Sequence, residues 1–223
     1  MTELGEATMY LGAELKQNNS GIWFDQENYI NKLLHRFDMI NCNPARTPMS
    51  SSLHLQADMN QPLIEETNYR SLIGGLLYTS MISRPDICFA ENTLSRYTQH
   101  PQVAHLTAAK RVLRYLKGTA NSGIFYPYDN YLTLVSYADA DYGRDIDTRR
   151  PISGLIHKLG KSPIEWSSKR QATVALSTTE AEYRVLSEAA KDAIHLRQQR
   201  TLKLLNCAPL KPITCDLHSS HDA

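Results

Sequence analysis

The sequence predicts a mixed α/β (α+β) protein in two parts: a mostly helical first region, then a sheet with a flanking helix. Three observations carry this expectation. Residues 69–81 and 105–116 hold apolar side chains at helical spacing. Past residue 121 the pattern changes to short runs rich in Leu, Val and Tyr, which reads as strands. A long helical segment follows those runs, giving the order β-β-β-α-β of a sheet domain. The boundary is expected between Asn121 and Asn130, with domains at 1–120 and 121–223.

The elements follow in chain order. Met9 to Phe24 holds two apolar runs around Asn18-Asn19-Ser20-Gly21, the composition of a hairpin turn. Asp25 is placed to cap a helix carrying Tyr29, Ile30, Leu33, Leu34 and Phe37. Asn43 to Glu66 is polar, with Pro44, Pro48, Pro62 and a run of serines, and reads as a long surface loop. Tyr69 to Met81 is a helix whose Gly74-Gly75 pair suits close packing. Ser83-Arg84-Pro85-Asp86 ends it, and Pro85 fits the first position of the next helix. His105 to Leu116 aligns Leu106, Ala109, Val112, Leu113 and Leu116, with Gly118 as C-cap. In the second region, strands are expected at Tyr131–Ala138, Gly154–Leu159 and Ile164–Ser167, the last two joined by Gly160-Lys161-Ser162-Pro163. A helix over Ser177–Leu205 and a short strand at Pro212–Cys215 complete the order.

Composition narrows the function classes. Apolar residues make up 42% and charged residues 21% of 223, an ordinary globular balance. Net charge is only +1, so nucleic-acid binding would have to rest on local patches. Cys42, Cys88, Cys207 and Cys215 show no C-x-x-C spacing, which argues against a zinc site. The polar, acidic N-terminus does not read as a signal peptide, and no apolar run approaches a membrane span. Cytosol or nucleus is the expected location.

Three carboxylates stand out. Asp139 and Asp216 each end an expected strand, and ligand sites gather outside the carboxyl ends of strands in open α/β sheets. If the two strands are parallel neighbours, both acids enter one cleft. Converging carboxylates repel unless a divalent cation joins them, and Mg²⁺ accepts one or two carboxylates plus waters and phosphates. On the long helix, Ser177-Thr178-Thr179-Glu180 fits a capping box, and Glu180 pairs with Arg184 four residues on. Glu182 instead shares a stripe with Val185, Leu186 and Ala189 and faces the sheet, so helical phase favours it as the functional acid. Taken singly, such residues are more often caps, turn residues or rim residues.

Motifs span the chain. Tyr137-Ala138-Asp139-Ala140-Asp141-Tyr142, Ile164-Glu165-Trp166-Ser167-Ser168-Lys169-Arg170-Gln171 and Ser177-Thr178-Thr179-Glu180-Ala181-Glu182-Tyr183 resemble Y-S-D-A-D-W, I-x-W-x-S-K-K-Q and S-x-T-E-A-E-Y of the Ty/copia-type retrotransposon Pol polyproteins. Upstream, Tyr10-Leu11-Gly12-Ala13-Glu14, Tyr69 to Gly74, Ser83-Arg84-Pro85-Asp86-Ile87 and Arg111 to Thr119 match in the same order. The resemblance implies that residues up to about Gly118 form the thumb and connection of a reverse transcriptase. It implies a ribonuclease H-like mixed sheet beyond them. Asp139, Glu182 and Asp216 would be metal-binding catalytic acids. Two Mg²⁺ (or Mn²⁺) ions would act on an RNA–DNA hybrid, with the remainder of the polyprotein as partner and no membrane.

The sequence also departs from the family. The polymerase palm with its Tyr-x-Asp-Asp motif is absent, so polymerase activity is not implied for this chain alone. After Asp216 the family pattern is Asn-x-x-Ala and a further helix, whereas Leu217-His218-Ser219-Ser220-His221-Asp222-Ala223 follows here. An incomplete domain with weak or no activity is therefore expected. Tyr142, Leu155 and His195 stand where Trp, Tyr and Trp are common. Arg111-Val112-Leu113-Arg114 also matches the R-x-L-R motif of secreted effectors, which opens a non-catalytic, host-directed reading. Lys110, Arg111, Arg114 and Lys117 either touch a nucleic-acid backbone or form a solvated helix face.

Overall fold

The computed structural model describes residues 7–128, 132–143 and 145–203. The fold is mixed α/β, with two compact units, Met1–Tyr128 and Asp129–Ala223.

The first unit opens on three short strands, β1 (Met9–Tyr10), β2 (Ala13–Asn18) and β3 (Gly21–Asp25). Asn18 closes the β2–β3 turn: its Oδ1 accepts from the N–H groups of Ser20 at 2.9 Å and Gly21 at 3.1 Å. The sheet order is β1-β2-β3-β4, where β4 is Ile124–Pro127, antiparallel to β3. A region described as mostly helical, ending at 120, therefore omits a strand: β4 pairs Ile124 with Phe24 and belongs to this sheet.

Helix α1 (Glu27–Arg36) begins where the Asp25 carboxylate accepts the N–H of Glu27 at 3.2 Å. Helices α2 (Glu66–Ile82), α3 (Cys88–Ser95) and α4 (Val103–Gly118) follow, with a 3₁₀ turn at Pro85–Ile87 leading into α3. Their apolar faces form one core with Ile30, Tyr69, Leu72, Leu94, Val112 and Leu113 fully buried. Between α1 and α2 the chain has no helix or strand beyond one bridge, Leu63 to Gln102. It is held against α4 by polar side chains. Gln102 Oε1 accepts the N–H of Met59 at 2.7 Å. His105 Nδ1 accepts the N–H of Gln102, so Nε2 carries the proton and donates to the Gln56 carbonyl at 2.9 Å.

The two glycines of α2 play different parts. A Cβ on Gly75 would come within 2.5 Å of Leu33 Cδ1 in the core, whereas one on Gly74 would meet nothing. Gly74→Ala should raise stability by about 1 kcal/mol through helix propensity, and Gly75→Ala should lower it by about 1 kcal/mol because overpacking outweighs that gain. Urea denaturation of both variants checks the opposite signs; equal shifts would contradict the packing assignment.

Glu91 is buried in α3, and burial pushes its carboxyl up to about 7. The folded state then holds the proton more tightly than the unfolded state. Its contribution is complete below the ordinary carboxyl range and fades as pH rises through about 7. The first unit should lose about 2 kcal/mol between pH 5 and pH 8 from this group, allowing for partial relaxation. Glu91→Gln should flatten that dependence in denaturation curves; an unchanged slope would contradict the burial argument.

The second unit contains β5 (Leu134–Asp141), β6 (Ile152–Leu159) and β7 (Ser162–Arg170), an antiparallel sheet in that order. Helix α5 (Thr178–Lys203) packs on β5 and β6. This is the expected β-β-β-α order. The β6–β7 turn is tighter than expected: Leu159 pairs with Ser162, leaving only Gly160 and Lys161 outside the ladder. Gly160 sits at φ 62°, which a residue without Cβ adopts freely. Pro212–Cys215 lies outside the described residues, as does any parallel pairing with β5.

Candidate functional site

Asp139 lies within β5 rather than after it, opposite Gly154 of β6. The expectation of a strand-end acid fails because backbone pairing continues through Ala140 and Asp141 to Ser153 and Ile152. Asp139 is exposed. Its neighbours Ala138 and Ala140 pack with Leu155, Val185 and Ala189, and these small side chains let α5 come close to β5.

The start of α5 sorts the two glutamates. Ser177 Oγ accepts the N–H of Glu180 at 3.1 Å, as a capping box requires. The return bond differs: Glu180 Oε2 accepts from the N–H of Leu176 at 2.7 Å, while Oε1 accepts from Arg184 at 2.5 Å. The Leu176 amide foremost, then Arg184, holds the Glu180 carboxyl below its usual range. Ala181, Val185, Ala189 and Ala193 are buried along α5, with Leu186 partly so. Glu182 borders this ridge and is half-buried. Burial first, then the charge of Asp139, pushes its carboxyl above the ordinary value; the N–H of Ala140 donates to it and pulls the other way. Thus Glu182 feels the charge of Asp139, and Glu180 is engaged with Leu176 and Arg184. Asp216 lies outside the described residues. Among those described, no three His, Cys, Asp or Glu side chains gather to hold a metal ion.

Two polar residues that motif reading passed over shape this end of the sheet. Asp145, 2% exposed, orders the β5–β6 connection. Its carboxylate accepts from Thr148 Oγ1 at 2.5 Å and from Arg170 at 3.3 Å. Gln171, 5% exposed, joins β6 to α5: Nε2 donates to Ser153 Oγ at 3.1 Å and to the Ala181 carbonyl at 3.0 Å. Gln171 closes the quoted I-x-W-x-S-K-K-Q motif, and that place is its only signal in the sequence.

The basic helix face in the first unit is partly occupied. Arg111 donates to the Thr47 carbonyl and hydroxyl, Arg114 to the Asn43 carbonyl at 2.6 Å and Lys117 to the Cys42 carbonyl at 2.6 Å. Lys110 is exposed. Leu113, inside the R-x-L-R match, is fully buried.

Comparison with known proteins gives the class first. A family model described as reverse transcriptase (RNA-dependent DNA polymerase) matches residues 1–51. The chain is 42% identical over 187 residues to the retrovirus-related Pol polyprotein from transposon RE1 of Arabidopsis thaliana, covering 84% of this chain and 13% of that polyprotein. It is 36% identical over 206 residues to that from transposon TNT 1-94 of Nicotiana tabacum, covering 89% of this chain and 15% of the relative. It is also 42% identical over 135 residues to secreted RxLR effector protein 161 of Plasmopara viticola, covering 60% of this chain and 95% of that protein. The chain belongs to the copia-type retrotransposon Pol polyproteins and corresponds to a small segment of them. No solved structure matches it significantly. Among the described residues, no helix is long and apolar enough to cross a membrane.

Proposed function

We propose that residues 129–223 are the ribonuclease H segment of a copia-type Pol polyprotein, of a kind that cuts RNA in RNA–DNA hybrids but is weak in this chain by itself, and that residues 1–128 belong to its thumb and connection. The observation that supports the reading is the charge of Asp139 on β5 acting on the half-buried Glu182 of α5, two like charges from different elements. Such a pair fits a divalent cation, because Mg²⁺ or Mn²⁺ would remove their repulsion and needs only one or two protein carboxylates. Asp216 is the third ligand by family resemblance. When bound, the ions supply an activated water and charge stabilisation for the leaving oxygen. Asp139, on the exposed side, meets the solvent from which a scissile phosphate arrives. The N–H of Ala140 donates to Glu182 and ties it to β5, the strand that carries Asp139.

The test is cleavage of a labelled RNA–DNA hybrid with and without Mg²⁺. By itself this chain should cleave weakly, little above its Asp139→Asn variant; joined to the remainder of the polyprotein it should cleave faster, and there Asp139→Asn should lower the rate on the order of 10²-fold. Equal cleavage by the joined protein with and without Asp139→Asn would overturn the reading.

A second reading rests on the effector relative: a non-catalytic element-derived protein acting in nucleic-acid binding or on a host protein. The burial of Leu113 weighs against a freely read R-x-L-R segment in this fold. A chain that binds hybrid or a host factor without any Mg²⁺-dependent cleavage would favour it.

A further inference from the structure

We infer that Gln171 is a positioning residue: its side-chain amide sets the first turn of α5 against β6, and so sets Glu182 beside Asp139. The inference rests on the acid pair proposed above.

Three links carry it. The base of Gln171 is fixed, because its N–H donates to the Pro151 carbonyl at 2.8 Å and continues the β6–β7 pairing beyond Arg170. Its Nε2 bridges two elements, reaching Ser153 Oγ of β6 and the carbonyl of Ala181, the residue before Glu182. Ser153 in turn pairs with Ala140 of β5, the residue whose N–H donates to Glu182. The loop 171–177, Gln171, β6, β5 and the start of α5 thus form a closed circuit around the two acids.

The amide orientation follows from chemistry. A carbonyl can only accept, so the group facing Ala181 must be the NH₂. Gln171 Oε1 is then left buried without a hydrogen-bond partner. A buried unmade acceptor is unfavourable, so the side chain is held here by its two donor bonds and by its anchored backbone. Glu at this position would keep the shape but could not donate to Ala181. Met would keep the length and lose both bonds.

Residues that orient a metal's ligands without touching the metal commonly change affinity on the order of 10- to 100-fold. Gln171→Met should therefore weaken Mg²⁺ binding by roughly 10-fold. A change in general stability alone could weaken binding too, so a local reading is required. The amide proton of Ala140 supplies it. In metal-free wild type that proton donates to the Glu182 carboxylate, and its NMR shift should differ from that in Glu182→Ala, which removes the acceptor. In Gln171→Met most of this difference should vanish, and in Ser153→Ala, which removes only the sheet-side partner, part of it should.

An Ala140 shift that stays at its wild-type value in both variants overturns the inference, whatever happens to stability or Mg²⁺ binding. If Gln171→Met does not fold, Ser153→Ala decides alone by the same shift. If the shift changes as expected but wild type binds no Mg²⁺, the positioning role stands and the metal reading falls.

Discussion

Arg84→Met should destabilise the first unit by about 3 kcal/mol, the low end of the range for breaking a buried ion pair. Arg84 is the largest fully buried side chain of the described residues, 2% exposed. Nε and Nη2 donate to Asp86 at 2.9 and 2.7 Å, a two-point pair. Nη1 and Nη2 also donate to the carbonyl and hydroxyl of Thr119 at 2.9 and 2.6 Å, and Tyr115 OH donates to Asp86 at 2.7 Å. The pair thereby joins the turn after α2 to the end of α4. Met fills similar space but removes the cation beside Asp86, which keeps Tyr115, and one of the two donors to the Thr119 carbonyl, which keeps the N–H of Ser122. The loss stays near the lower limit because Asp86 still reaches water. Burial alone would raise the Asp86 carboxyl, yet the bond and charge of Arg84 outweigh it and hold it below the usual range. A depressed carboxyl contributes above its ordinary range and is lost as pH falls through its folded value. Arg84→Met should therefore also lose part of the acid limb. Denaturation followed through Trp23 in a Trp166→Phe background reads this; a loss under about 1 kcal/mol would show the network to be surface-like.

The sequence disclosed elements whose signals are local. Asn18 and Gly21 mark their own turn, Pro85 starts its own helical turn, and the α4 stripe follows from residues three and four apart. It did not disclose β4. Ile124, Phe125 and Tyr126 suit a strand, but their partner is β3, about a hundred residues earlier, and nothing local records that pairing. Gly123 is the residue that permits it, since a Cβ there would meet the Phe24 carbonyl at 2.4 Å.

The candidate site divides the same way. Glu182 was separable from Glu180 by phase along one helix, and the two carboxyls do differ in surroundings as that phase implies. The sequence pattern ends the strand before Asp139 because acids are depleted in strands, whereas Gly154 and Ser153 carry the ladder past it. Gln171 looked like a motif letter, since its partners lie on β6 and α5 and only the fold unites them.

The second large effect concerns Glu182. Its charge is half-buried and opposed by Asp139, so the metal-free fold bears a penalty that Glu182→Gln removes. The raised carboxyl makes that penalty grow as pH rises from the ordinary carboxyl range through its folded value, so the variant's gain in stability should be larger at pH 8 than at pH 4. Gln keeps an oxygen for the N–H of Ala140 and preserves the local fold. What it loses is the negative charge that a hard cation requires. Glu180, bound to Leu176 and Arg184, has no such part.

Calorimetric titration of wild type, Glu182→Gln and Glu180→Gln with Mg²⁺ tests the paired-acid site most directly. Glu182→Gln should weaken binding by at least about 10-fold, a difference of about 1.4 kcal/mol, while the protein unfolds no earlier than wild type. Glu180→Gln should bind as wild type does. Equal losses in the two variants, or a larger loss in Glu180→Gln, would contradict the assignment of Glu182 and Asp139 as the metal-binding pair.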